Sequence, residues 1–290
     1  MKRITILLKI AFCAAFFAAL TTVPQTAVFA QPEKSAKAKL PDFAQVMEVP
    51  SAAMQKSLPA TVILPDSYKA SPDRRYPVIY LLHGAGGNHL SWLHNLPNLG
   101  ALASSYNVII VCPNGALSWY WDSPVDPKMK YETFVSKELV QFIDAHYRTK
   151  ASRRYRAITG LSMGGQGGLW LGIRHQDTFG ACGSMSGGVD IRPFPNNWGM
   201  SKMLGEYSKY PQNWENHTIE SQLHLITPNS IRIVIECGTS DFFYRVNEKL
   251  HQEMLYRNIA HDYTTRPGIH NWDYWRNALP YQLHFFSLSF

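Results

Sequence analysis

Five stretches of this chain are built of apolar and small residues with no alternation: PVIYLLHG (77–84), NVIIVCP (107–113), RAITG (156–160), ACGSMSG (181–187) and IRIVIECG (231–238). A strand with one face in water alternates apolar and polar residues, because successive side chains point to opposite faces. A run without alternation needs cover on both faces, the environment of a parallel sheet held between helices. Helical periodicity falls between the runs. ETFVSKELVQFIDAHY sets Val135, Leu139, Phe142 and Ile143 on one stripe, and VNEKLHQEMLYRN does the same with Val246, Leu250 and Met254. Strand and helix alternating over about 200 residues predict one open α/β sheet, mostly parallel, with helices on both faces. A chain of 290 residues, 46% hydrophobic and 17% charged, has the composition and length for such a core.

Three regions stand outside that rhythm. VMEVPSAAM and SLPATVILP read as two early strands able to pair as a hairpin. Residues 188–228 are rich in Pro, Asn and Trp (RPFPNNWGM, YPQNWENHT) and read as a small insertion over one end of the sheet. At the N-terminus, MKRITILLK carries only basic charge, IAFCAAFFAAL is an eleven-residue apolar run, and VFA closes the segment. That is the pattern of a secretory signal peptide over 1–30, cleaved near Ala30. The run is too short to span a bilayer. The expected layout is therefore a signal peptide, a flexible lead-in over 31–44, and one α/β domain over 45–290. The mature protein is expected outside the inner membrane, periplasmic or extracellular, with no stable membrane insertion.

The chain carries 28 Lys+Arg against 21 Asp+Glu, a net charge of +7. Loss of Lys2, Arg3 and Lys9 with the signal peptide leaves about +4. The densest basic cluster, RRYR at 153–156, reads as the solvated approach to a strand, and no nucleic-acid partner is expected. With Cys13 in the signal peptide, the mature chain keeps Cys112, Cys182 and Cys237; an odd number without CxxC spacing, they read as buried small hydrophobes rather than a disulfide framework or zinc site. HExxH, phosphate-cradling loops and dinucleotide fingerprints are absent, so neither metal nor cofactor is expected.

The chemistry centres on ITGLSMGGQGG (158–168). Gly160-Leu161-Ser162-Met163-Gly164 is a GxSxG pentapeptide, and its weight comes from its place between a strand and a helix. In a nucleophile elbow the serine takes a strained turn backbone that lifts its Oγ above the sheet. The glycines on either side let the neighbouring strand and helix approach. A hydroxyl needs a base to take its proton. Acid and histidine are expected to follow the serine, on loops at the carboxyl ends of later strands. IRIVIECGTSD ends in Asp241, and DYTTRPG leads into His270 within PGIHNWDYW. Asp262, Asp273 and His261 fit less well. Neither of these aspartates ends a strongly apolar strand, and His261 runs directly into strand-like residues.

A tetrahedral intermediate also needs donors for its oxyanion. Met163, after the nucleophile, supplies one backbone N–H, and the loop in LLHGAGGNH (81–89) supplies the second. Ala85 is the expected donor, with Gly84 as the alternative register. His83 is expected to brace that loop. Trp119, in ALSWYWDSP, and Trp272, beside the histidine, are expected substrate contacts.

Taken in order, YLLHGAGGNHLSW, ITGLSMGGQGG, CGTSDFFYRVNEKL and PGIHNWDYWRNAL resemble the esterase D-like branch of the α/β-hydrolases. That branch includes tributyrin-type esterases, feruloyl esterases, S-formylglutathione hydrolases and the antigen 85 mycolyltransferases. The likeness runs from about residue 45 to 287. It implies an α/β-hydrolase fold, a triad of Ser162, Asp241 and His270, oxyanion donors at Ala85 and Met163, and cofactor-free chemistry on carboxylic esters. Three functions are compatible. One is an exported carboxylesterase acting on a small-molecule or oligosaccharide ester such as an acetyl or feruloyl carbohydrate. The second is an acyltransferase passing the same acyl group to a sugar hydroxyl. The third is a non-catalytic carbohydrate-binding protein on this scaffold.

Overall fold

The computed structural model describes residues 40–290. The expected signal peptide, and the lead-in up to residue 39, lie outside the described residues. Eight strands form one sheet: β1 (Ala44–Ser51), β2 (Lys56–Ile63), β3 (Val78–Leu82), β4 (Ile109–Pro113), β5 (Arg156–Gly160), β6 (Ala181–Met185), β7 (Arg232–Gly238) and β8 (Asp262–Arg266). The strand order is β1-β2-β4-β3-β5-β6-β7-β8. The β1–β2 hairpin and the β2–β4 pair are antiparallel, and every pair from β4 to β8 is parallel. This is the expected α/β-hydrolase architecture, and each of the five non-alternating runs contains one central strand.

The reason those runs do not alternate is visible in the packing. Val78, Tyr80 and Leu82 of β3 enter one core, together with Phe134, Leu139, Ile143, Leu169, Leu250 and Met254. Ile79 and Leu81, the residues between, enter a second core with Leu99, Ala103, Ala278, Leu279 and Leu283. Helices Leu139–His146, Met163–Arg174 and Tyr244–Tyr256 therefore cover one face, and Leu99–Tyr106 and Trp272–Ser287 the other. Successive residues of β4 divide the same way, Ile109 and Val111 to one side, Ile110 and Cys112 to the other. Cys112, Cys182 and Cys237 are buried and unbridged among the described residues.

The predicted helix around residues 132–147 forms with one irregularity, a wide π-type turn at Phe134–Glu138 just before Leu139–His146. Glu138 at the end of that turn accepts hydrogen bonds from Ser51 Oγ (2.5 Å) and Ala53 N–H (2.9 Å), tying the helix to the β1–β2 hairpin. Glu132 fixes the other end. It accepts from Trp170 Nε1 (2.8 Å), Arg174 Nε (2.8 Å) and His175 Nε2 (2.9 Å), all on or just after the helix Met163–Arg174. Burial would raise the Glu132 carboxyl pKa, but the hydrogen bonds from His175 and Arg174 outweigh it and hold the group down at about 2.

Between β6 and β7 the chain forms no strand, only short helical pieces at Ser201–Leu204, Pro211–Asn216 and Glu220–Leu225. Arg192 gathers this stretch, donating to Asp190 (2.7 Å), Glu215 (2.6 Å) and Glu220 (3.4 Å).

Candidate active site

The turn from β5 into the helix Met163–Arg174 carries Ser162 at φ 56°, ψ −119°. A non-glycine residue in that region is strained, and the surrounding backbone must hold it there. Ser162 N–H donates to Met185 O (2.9 Å) in β6, and Leu161 N–H to Leu82 O (3.3 Å) in β3. The sharp turn brings backbones together. A Cβ on Gly160 would sit 2.5 Å from Leu82 O, and one on Gly164 would sit 2.6 Å from Leu82 O and 2.7 Å from His83 O. Both contacts are with backbone atoms, so the glycines of the pentapeptide are a steric requirement of this turn.

The two partners expected from chain order arrive from the ends of β7 and β8. Asp241 lies three residues past β7, its side chain fully buried. Phe243 N–H donates to its Oδ1 (2.8 Å). His270 lies on the loop between β8 and the last helix, where Thr239 N–H donates to Arg266 O and Ser240 N–H to Gly268 O, each at 2.9 Å. The carboxylate only accepts, so His270 Nδ1–H donates to Asp241 Oδ2 (2.8 Å). That leaves Nε2 as the acceptor for Ser162 Oγ–H (2.9 Å). Three side chains separated by 108 and 29 positions thus form one hydrogen-bonded chain.

The loop after β3 is set by His83. Gly115 N–H donates to His83 Nε2 (2.9 Å), so the ring proton is on Nδ1, which donates to Gly84 O (2.8 Å). Burial pushes the His83 pKa down to about 4, keeping the ring neutral. Gly87 N–H donates to the same Gly84 oxygen (3.0 Å). In a trans peptide the C=O and the following N–H point in opposite directions. Anchoring Gly84 O therefore fixes the direction of the Ala85 N–H. Neither that group nor the Met163 N–H donates to an acceptor among the described residues. Met163 opens its helix, where backbone donors have no partner within the helix and the helix dipole favours negative charge.

The two tryptophans expected to touch substrate both pack against other aromatic rings. Trp119 is 1% exposed, stacked on Trp121 (5.6 Å between centroids) and packed against Trp198. Trp119 belongs to the larger hydrophobic core. Trp272 packs edge-on to Trp92 (5.2 Å) and to Trp275 (5.5 Å), and it is Trp275 that meets the His270 ring (4.9 Å). Trp272 itself is half-buried. The aromatic that sits beside the site was not singled out from sequence. Phe242 is 51% exposed, with its ring 4.3 Å from that of His270. Its only sequence signal is its place directly after Asp241.

Two surface clefts, of about 560 and 600 Å³, contain none of Ser162, Asp241 and His270, so the hydrogen-bonded chain rather than cavity size marks this site. Among the described residues no group of three or more His, Cys, Asp or Glu side chains is placed to hold a metal ion. No described helix is long and apolar enough to cross a membrane.

Comparison with known proteins agrees with this fold. The model of a family described as "Putative esterase" matches residues 51–286. An esterase of Mycobacterium tuberculosis is 34% identical over 134 residues, 45% of this chain but only 29% of that protein's length. An acetyl esterase of Caldicellulosiruptor saccharolyticus is 26% identical over 250 residues, covering 79% of this chain and 92% of the relative. Among solved structures, a ferulic acid esterase superposes with a TM-score of 0.72 at 29% identity, covering 85% of this chain and 98% of the other.

Proposed function

The chain belongs to the esterase family, and from that premise we propose that it is an exported serine carboxylesterase that removes acyl groups, acetyl or feruloyl, from carbohydrate. The observation that carries the reading is the chain Ser162 Oγ–His270 Nε2 (2.9 Å) and His270 Nδ1–Asp241 Oδ2 (2.8 Å) on a strained strand-to-helix turn.

Ser162 Oγ attacks the ester carbonyl as His270 Nε2 takes its proton. Asp241, buried and acceptor-only, holds the ring in that tautomer and stabilises the imidazolium. The carbonyl oxygen becomes an oxyanion, and the Ala85 and Met163 N–H groups donate to it. His270 then protonates the leaving alkoxide, the alcohol departs, and an acyl-Ser162 ester remains. Water, deprotonated by the same imidazole, attacks the acyl carbonyl and releases the acid. Every step draws on side chains and backbone of this chain.

Support for carbohydrate esters comes from the relatives named acetyl esterase and ferulic acid esterase. Support for export comes from the basic-then-apolar N-terminal sequence ending in Ala30. The test is hydrolysis of 4-nitrophenyl acetate and of acetylated and feruloylated xylo-oligosaccharides by the wild type and Ser162→Ala. The wild type is expected to turn over at least one class, and the variant to lose on the order of 10³-fold or more in kcat. Undiminished turnover by the alanine variant would remove this mechanism.

A further inference from the structure

We propose that Phe242 is the residue that selects the alcohol half of the ester, presenting a fixed aromatic face to the leaving sugar ring. The inference rests on the serine esterase reading and adds to it which part of the substrate this surface reads.

Reaction direction supplies the first step of the argument. His270 Nε2 must hand its proton to the leaving oxygen, so the alcohol has to lie on the imidazole side of Ser162. The solvent-open neighbours of His270 are therefore the groups an alcohol leaving from that imidazole can meet. Two are apolar and half exposed: Phe242 at 51%, its ring 4.3 Å from the imidazole, and Ile269 at 54%, next to His270 in the chain.

Phe242 is also packed against other rings. Its ring stacks on Trp198 at 5.9 Å with 20° between planes, meets Phe243 at 4.6 Å, and meets the edge of Phe194 at 6.5 Å. Trp198 and Phe194 belong to the stretch between β6 and β7, so that stretch buttresses the platform. Holding a large exposed aromatic in one orientation costs side-chain freedom that a purely structural residue would recover by burial. An aromatic face carries partial negative charge, and the C–H face of a pyranose carries the complementary partial positive charge. A flat ring braced by its neighbours beside the proton donor suits a cyclic sugar alcohol and gives little to methanol or ethanol.

The mechanism makes this reading separable from a mere propping role. Once the acyl-enzyme has formed the alcohol is gone, so Phe242 can act on acylation and not on deacylation. The experiment compares methyl acetate with a mono-O-acetylated methyl xyloside, one acyl group on two alcohols, for the wild type, Phe242→Ala, Phe242→Leu and Phe242→Tyr. In Phe242→Ala and Phe242→Leu the ratio of kcat/KM for the xyloside ester over methyl acetate falls by about five- to tenfold, the size of one aromatic contact. In Phe242→Tyr, which keeps the flat face, the ratio stays within about twofold of wild type. The rate of hydrolysis of the preformed acetyl-enzyme is the same in all four. Equal loss on both esters would show that Phe242 only props His270, and would overturn the proposal. A changed preference between acetate and ferulate esters of a single alcohol, with no change between alcohols, would also overturn it by placing the acyl group on this ring. A wild type inactive on these acetates and on the corresponding ferulate esters would instead bring down the esterase reading beneath it.

Discussion

Acidification loosens this fold through His83 in a window set by the imidazole's surroundings. In the folded chain burial holds the His83 pKa at about 4, against an ordinary 6.5. The fold keeps the neutral ring because Nε2 must accept from Gly115 N–H. A depressed folded pKa means that the unfolded chain binds more protons between those values, so stability falls as pH falls. The contribution is fully present above pH 6.5 and is exhausted once the pH passes below 4. Its ceiling is about 3 kcal/mol, and the share lost between pH 7 and pH 5 is about 2 kcal/mol. His89 and His217, also lowered by burial, act in the same direction, and Glu132 acts at lower pH, between 4.5 and about 2. The His83 share is isolated with His83→Gln, whose amide accepts and donates without titrating. Urea unfolding followed by tryptophan fluorescence at pH 7, 6 and 5 should show the wild type losing about 2 kcal/mol more than the variant across that range. The His83 Cε1–H resonance should stay at its neutral position throughout. Parallel losses in the two proteins, or a His83 resonance titrating near 6.5, would refute the assignment of this ring as the loop's neutral brace.

Two further outcomes follow from the site. Asp241→Asn offers His270 Nδ1 an N–H in place of a carboxylate, which favours the tautomer that cannot accept from Ser162. Steady-state kinetics should show kcat lower by about 10³–10⁴ with KM little changed, and a loss under tenfold would count against Asp241 as the orienting acid. Gly164→Ala drives a Cβ against the carbonyl oxygens of Leu82 and His83 and pushes the Ala85 loop out of place. A lower Tm, equivalent to about 1–3 kcal/mol, and a kcat lower by about 10² are expected, and an unchanged kcat in a folded variant would contradict that coupling.

The parts legible in sequence were those with a one-dimensional signature. A strand covered on both faces must be apolar throughout, so β3, β4, β5, β6 and β7 announced themselves. The elbow needs glycine at 160 and 164 for steric reasons, and the acid and base must lie past strand ends, which narrowed the choice to Asp241 and His270. Side-chain facing in irregular segments has no such signature. In SWYW (118–121) the adjacent Trp119, Tyr120 and Trp121 are all buried, because Trp119 and Tyr120 adopt left-handed backbone at φ 55° and 60°. That geometry breaks the alternation that would have turned one ring outward. Phe242 was hidden for a related reason: its exposure depends on Trp198 and Phe194, which come from a stretch with no periodicity to read. The Glu132 cluster joins groups about 40 positions apart, a separation at which pairing leaves no pattern along the chain.

The eighth strand gives the chemistry an asymmetric dependence on the sheet. Ser162 is seated between two interior strands, whereas His270 hangs from β8, a margin with no buried residue and β7 as its sheet neighbour. Such borders are where a fold opens first. A molecule whose border has peeled away keeps its nucleophile and its oxyanion donors but has no base, so it is inert while its interior is intact. Under the proposed mechanism, turnover is lost when the rim detaches, before the interior melts.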